Sequence, residues 1–311
     1  MSTTISAAGR TDVGRVRTHN EDAYLVAALS DGAVITKGTT DVLTIQGGPA
    51  LLIVADGVGG AASGEIASLM ATDAMLIDLR RQFASGMFHE LETVRRAIES
   101  AVLAANHVIF AYALSNPQHR GMATTATLAM WHDGHLLVAQ IGDSRAYLVH
   151  DGVARQITKD QSLVQRLLDA GEITPDQAAM SERRNIILQA LGSEPVVVPD
   201  LYQETPADGD MLVLCSDGLS NHVSAEEIAK FVGRTADLGD ACDQLIALAN
   251  ARGGHDNITV VAARFHRSID DPVGYDGVEL TTHAPLIDDP ESTTLESASR
   301  GLVDRMRRWL H

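Results

Sequence analysis

The chain has 311 residues, 45% of them hydrophobic, which suffices for one substantial core and a tail. Acidic residues outnumber basic ones 41 to 24, a formal net charge of −17 that argues against nucleic-acid binding. No apolar run approaches the roughly 18 residues of a membrane span, and the start lacks the basic and apolar regions of a signal peptide. Cys215 and Cys242 are the only cysteines, so the expectation is a reducing cytoplasm without a disulfide framework.

In chain order, strands are predicted over Asp22–Leu29, Leu51–Ala55, Ala123–Trp131, His135–Ile141, Arg145–His150, Met211–Cys215 and Ile258–Phe265. Two helices fall between the second and third strands. Ile66, Met70, Ala74 and Ile77 recur at helical spacing in one. Leu91, Val94, Ile98, Val102, Ala105, Ile109 and Tyr112 form a stripe in the other. Such stripes are core faces rather than binding surfaces. Asp133-Gly134 and Asp151-Gly152 read as type I′ hairpin turns. Ser224 to Glu227 is a capping box, and a helix from about Leu238 to Arg252 stops at Gly253-Gly254. Clustered strands, clustered helices and hairpins predict an α+β sandwich of antiparallel sheets covered by helices.

Beyond about Arg267 the chain turns acidic and aperiodic, as a linker does. Leu295, Leu302, Met306 and Trp309 then alternate with Arg300, Arg305, Arg307 and Arg308. That pattern fits a short basic amphipathic helix for a partner or membrane surface, or a frayed terminal helix. The expected organisation is therefore a folded domain over 1–267 and a linker with tail over 268–311.

Four aspartates sit at strand ends beside Gly, Ser or Asn: Asp56 in "VADGVGG", Asp143 in "IGDSRAY", Asp217 in "LCSDGLS" and Asp256 in "GGHDNIT". Glu21 and Asp22 in "HNEDAY" precede another strand. A lone Asp-Gly is ordinarily a turn, as at Asp133 and Asp151. Asp56 and Asp217 instead lead through short loops into helices, so a hairpin does not explain them. Like charges 4 Å apart repel by roughly 4 kcal/mol at an effective dielectric near 20, so converging carboxylates require protons or a metal. Oxygen-only donors suit hard ions such as Mg²⁺ or Mn²⁺.

Other readings of the same residues fail. "GVGGAA" matches a loose dinucleotide pattern, but two helices follow where a second strand ending in an acid is required. "GDSRA" lacks the last glycine of a nucleophile elbow and runs into a strand. Cys215 has no arginine a few residues on, as a thiol phosphatase needs.

With "GRVRTHNEDAY", "VADGVGG", "GMATTATLAMW", "IGDSRAYLV", "ITKDQSLVQ", "NIILQALG", "LVLCSDGL" and "GGHDNITVV" in order over about 250 residues, the chain resembles the metal-dependent protein phosphatases of the PPM (type 2C) family, in a bacterial style. The resemblance implies two packed antiparallel sheets flanked by helices. It implies hydrolysis of phosphoserine and phosphothreonine by direct attack of hydroxide held between two Mn²⁺ or Mg²⁺ ions. Asp56 would bridge the two ions, Gly57 would offer its carbonyl oxygen, and Asp217 and Asp256 would hold the second ion. Glu21 and Asp22 would bind or orient waters, and Asp143 with Asp217 would form a third, weaker site. Arg17 would grip the phosphate, and residues from about Lys159 to Asn185 would form a mobile flap. Expected partners are phosphoproteins, including a Ser/Thr kinase or its substrates, in signal transduction.

Three positions depart from the family pattern: Val58 replaces a histidine proposed as general acid in many members, Ala123 a glycine, and Gln161 the histidine of Asp-His-Ser. His19 and His255 are nearby alternatives for proton transfer. A silent phosphoprotein-binding module or a small-molecule phosphoesterase are the competing functions. Loss of a core aspartate, the sign of the first, is absent.

Overall fold

The computed structural model describes residues 3–36, 39, 41–58, 63–181 and 183–266. Thirteen strands occur among them: β1 Thr4–Asp12, β2 Asp22–Ala28, β3 Val34–Thr36, β4 Leu43–Gln46, β5 Ala50–Val58, β6 Ala123–Thr124, β7 Ala126–His132, β8 His135–Ile141, β9 Arg145–His150, β10 Val153–Gln156, β11 Asp200–Glu204, β12 Met211–Cys215 and β13 Ile258–His266. Seven α-helices accompany them: α1 Ser63–Ala84, α2 Leu91–Ser115, α3 Leu163–Asp169, α4 Pro175–Ala179, α5 Asp217–Ser220, α6 Ala225–Arg234 and α7 Leu238–Ala251.

The strands form two antiparallel sheets, ordered β10-β9-β12-β13-β1-β4 and β11-β8-β7-β5-β2-β3, with β6 paired to the end of β5. Alternation along the strands sorts their side chains into layers. In β5, Leu52 and Val54 meet Leu212, Leu214, Val261 and Phe265 of the other sheet, while Leu51, Ile53 and Ala55 pack beneath α1 and α2. In β13, Val261, Ala263 and Phe265 face the sandwich interior, whereas Ile258, Val260 and Ala262 pack under α6 and α7. Helices thus cover both outer faces, which is the α+β sandwich expected from the sequence. Burial on both faces is why β5 reads as an unbroken apolar run.

The expected hairpins form: Asp133 and Gly134 adopt φ of 48° and 89°, Asp151 and Gly152 of 49° and 76°. Ser224 and Glu227 close their capping box, and Gly253 and Gly254 end α7 at positive φ. The run Ala123–Trp131 is not one strand but two, broken at Thr125, whose hydroxyl instead serves Asp56 and Ser144. Helix α2 is long and apolar enough, by length and composition alone, to cross a membrane, although no apolar run of that length is expected from the sequence. Its stripe from Val94 to Ile109 is spent on the β-sheet core. The tail expected over 268–311 lies outside the described residues.

Candidate metal centre

Five strand ends of the two sheets deliver the carboxylates. Asp22 opens β2 and stands directly across the ladder from Asp56 in β5. Asp143 follows β8, Asp217 follows β12 at the start of α5, and Asp256 precedes β13. Hydrogen bonds fix the Asp56 and Asp217 ends. Asp56 donates its N–H to Thr125 Oγ1 at 3.0 Å, and its carbonyl accepts from Thr125 N (2.8 Å) and Thr124 Oγ1 (2.9 Å). Ser216 N donates to the Thr259 carbonyl at 3.1 Å, which ties the start of α5 to β13.

Asp22 is 1% exposed. Its Oδ2 accepts from Ser216 Oγ (2.8 Å) and Thr259 Oγ1 (2.6 Å), while its Oδ1 is buried without a partner. Burial raises its pKa to about 7 against the pull of those two hydroxyls, and Asp217 and Asp256 add to the rise. Burial likewise lifts Asp143 to about 7, helped by Asp217 and Asp160. Asp56 is pushed well above the ordinary carboxylate range by burial and then by Asp22, Asp217, Asp143 and Asp256. Asp217 is raised by burial and Asp256, and Glu21 by burial, with Arg17 opposing. The carboxylates therefore converge, and burial together with their mutual repulsion favours the protonated over the charged forms.

Gly57 has no room for a side chain, because a Cβ there would run into Gly64 O at the start of α1 and into Glu21 O. Its N–H donates to Glu21 O at 3.2 Å. Glu21 is pinned by Ser68 Oγ at its carbonyl (2.6 Å) and by Asn257 Oδ1 at its N–H (2.8 Å). Asn257 also donates Nδ2 to Val13 O (3.0 Å) and His19 O (2.9 Å), holding the loop that carries Arg17. Arg17 is exposed and pairs with Asp256 through Nη2–Oδ2 at 2.8 Å. Asp256, together with Glu21 and Asp56, raises its pKa.

Among the described residues no three His, Cys, Asp or Glu side chains form a ready-made metal cage. The fit to a metal rests instead on the unpartnered Asp22 oxygen, on carboxylates that repel one another while deprotonated, and on an all-oxygen donor set. On these grounds the residues suit hard divalent ions. Of the other positions singled out in the sequence, Val58 is half-exposed at the end of β5. His255 is turned onto His222, with ring centroids 5.3 Å apart, and His19 is exposed. Sequence reasoning missed Thr125, Ser216, Asn257 and Thr259, which support the carboxylates. The polar Ser216, Asn257 and Thr259, interrupting apolar strand ends, were the available signal.

The protein phosphatase 2C family model matches residues 10–251. The chain belongs to the protein phosphatase 2C family. This phosphatase 2C chain is 38% identical over 253 residues to the serine/threonine phosphatase stp of Listeria monocytogenes, spanning 81% of this chain and 92% of that one. It is 37% identical over 256 residues to the serine/threonine protein phosphatase PstP of Mycobacterium tuberculosis, spanning 82% of this chain and 44% of that protein. Among solved structures, the catalytic domain of PstP in complex with two manganese ions superposes with a TM-score of 0.68 at 34% identity, covering 85% of this chain and all of that one. A serine/threonine phosphatase of S. agalactiae gives a TM-score of 0.71 at 33% identity, covering 84% of this chain and 99% of the other. The sandwich and the metal dependence expected from the sequence are those of the phosphatase 2C family.

Proposed function

We propose that this protein is a metal-dependent protein phosphatase that hydrolyses phosphoserine and phosphothreonine at the Asp56 cluster. The observation that carries this reading is the meeting of Asp22, Asp56, Asp143, Asp217 and Asp256 at one end of the sandwich, with a buried carboxylate oxygen of Asp22 left unpartnered. Asp56, Gly57, Asp217 and Asp256 would hold two Mn²⁺ or Mg²⁺ ions, with Glu21 and Asp22 at their waters and Asp143 at a third position. Bound there, the ions supply positive charge and lower the pKa of water so that hydroxide is available at neutral pH.

The protein's own residues do the rest. Arg17, held at the rim beside Asp256, offers two parallel N–H donors to phosphoryl oxygens and fixes their orientation. Ser216 and Thr259 hold one Asp22 oxygen, leaving the other buried and without a partner. Asn257 keeps Arg17 and Glu21 in register through the shared loop. Val58 has no proton to give, so the leaving oxygen takes its proton from another donor.

Phosphoproteins are the substrates, with a Ser/Thr kinase or its substrates among them. The buried free thiols of Cys215 and Cys242 fit a reducing cytoplasm. Residues 1–267 constitute the catalytic domain, and 268–311 a linker and partner-docking tail. The test is turnover of phosphopeptides beside small phosphoesters with Mn²⁺, Mg²⁺ or chelator. Phosphopeptides are expected to turn over best, only with metal, and Asp56→Ala or Asp217→Ala should abolish activity in a folded protein. Turnover that survives both chelator and Asp56→Ala would refute the assignment. Preference for small phosphoesters would replace the substrate class, and phosphopeptide binding without turnover would mark a silent module.

A further inference from the structure

Beside the carboxylates, two imidazoles meet at the surface. His222 follows the short helix α5, which Asp217 opens, and His255 directly precedes Asp256. Their rings lie within 23° of parallel with centroids 5.3 Å apart, and His222 Nε2 stands 3.5 Å from His255 Nδ1. That separation exceeds the roughly 2.7–3.2 Å of ordinary N–H hydrogen bonds to oxygen. It is close to the span of two nitrogens on one tetrahedral ion, since Zn–N bonds of about 2.05 Å set them roughly 3.3 Å apart.

The surroundings fix both rings. Arg252 donates Nη1 to the His222 carbonyl at 2.6 Å and to Glu227 Oε2 at 2.7 Å, so a forked ion pair braces the backbone under His222. His222 N–H donates to Leu219 O at 2.9 Å. Gly253 makes room for His255: its φ is +128°, and a Cβ there would stand 2.4 Å from the ring Cε1. Burial, then His255, Arg184 and Arg252, lowers the pKa of His222, which favours its neutral form. A neutral imidazole keeps one bare nitrogen. The tautomers with His222 Nε2 and His255 Nδ1 bare present both lone pairs to the same small volume. Imidazole donors suit Zn²⁺ and its neighbours, whereas carboxylates and carbonyls suit Mg²⁺ and Mn²⁺.

We propose that His222 and His255 form a two-nitrogen site for a borderline divalent ion of the Zn²⁺ class, separate from the all-oxygen carboxylate cluster. Among the described residues no third His, Cys, Asp or Glu joins the pair, so water completes the shell and the ion exchanges. The ion clamps the chain after α5 to the chain before β13, and these two segments also carry Asp217 and Asp256. The site stands on the two imidazoles alone and does not depend on the phosphatase reading.

The experiment uses the full chain saturated with Mn²⁺, and Zn²⁺ is the probe. Equilibrium dialysis should give the wild type a Zn²⁺-binding step that weakens at least about tenfold, or roughly 1.4 kcal/mol, in His222→Gln and in His255→Gln. Zn²⁺ should raise the melting temperature of the wild type but not of His222→Gln, because an ion held only by the folded chain stabilises it. His222→Gln should keep its Mn²⁺-dependent turnover, a sign that the carboxylate cluster is intact. Equal Zn²⁺ affinity in the wild type and both variants overturns the proposal and leaves an aromatic stack only. A Zn²⁺ step lost in Asp217→Asn but kept in both histidine variants assigns the ion to the carboxylates and overturns it as well. Should His222→Gln not fold, acylation of the wild type by diethyl pyrocarbonate, read by mass spectrometry, takes its place. Zn²⁺ should shield His222 and His255 from the reagent, and rings that react equally with and without Zn²⁺ overturn the site.

Discussion

At Asp22 the two carboxylate oxygens have opposite fates, and that asymmetry organises the site. Oδ2 is saturated by two hydroxyls, while Oδ1 is buried and open. Asp56 across the ladder faces the reverse problem, its pKa raised by burial and then by four carboxylates. Asp56→Asn removes one of the repelling charges. In chelator its melting temperature is therefore expected to match or exceed the wild type, while its stabilisation by Mn²⁺ and its turnover are lost. A thermal melt with and without Mn²⁺ checks both. Arg17 is exposed and acts on substrate rather than on the fold, so Arg17→Ala should leave the melting temperature unchanged. It should raise KM for phosphopeptides roughly tenfold, on the order of the strength of a charge-assisted pair. Arg17→Lys restores the charge without the planar fork and should recover only part of that loss.

Among the elements, the unbroken apolar runs were the legible ones. The runs behind β5, β8, β9, β12 and β13 are buried on one or both faces and declared themselves by hydropathy. Strand β1 did not, although it sits between β13 and β4. Its residues are largely Ala, Gly, Ser and Thr, because a large neighbour occupies the space: the Tyr24 ring lies where a Cβ on Gly9 would go. Small residues under a bulky one carry no strand signal of their own. Gly9→Ala should therefore destabilise the protein by about 1–3 kcal/mol in urea unfolding, with turnover per folded molecule unchanged. The aspartates were legible for another reason, since a charge ending an apolar strand breaks the local pattern. The hydroxyls and amides that aim them were not, because Thr259 and Asn257 serve Asp22 and Glu21 from more than 200 residues away.

For the molecule as a whole, stability and metal are linked through pH. Asp22 and Asp143 move from the ordinary 3.8 to about 7 on folding. Between those values the folded protein keeps protons that the unfolded chain has released. The stability they contribute is complete below about pH 4 and lost as pH rises through about 7. Metal-stripped protein should accordingly lose stability from these groups between about pH 4 and 7. Mn²⁺ should restore more at the upper end and release protons as it binds. Melting curves across pH, and calorimetry in buffers of different ionisation enthalpy, measure the two effects. If the proposed catalytic domain spans 1–267, a chain ending at 267 should keep its metal-dependent turnover on phosphopeptides.

The pairing of β1 with β13 runs from Thr4 opposite His266 to Asp12 opposite Ile258. Among the described strands, β1 therefore leaves the ribosome first and waits for β13 before its sheet can close. Asp22 receives both hydroxyls that hold it, from Ser216 and Thr259, only from that late-arriving half. A nascent chain thus carries an unfinished acid cluster until β13 has emerged, and the power to remove phosphate arrives only with it.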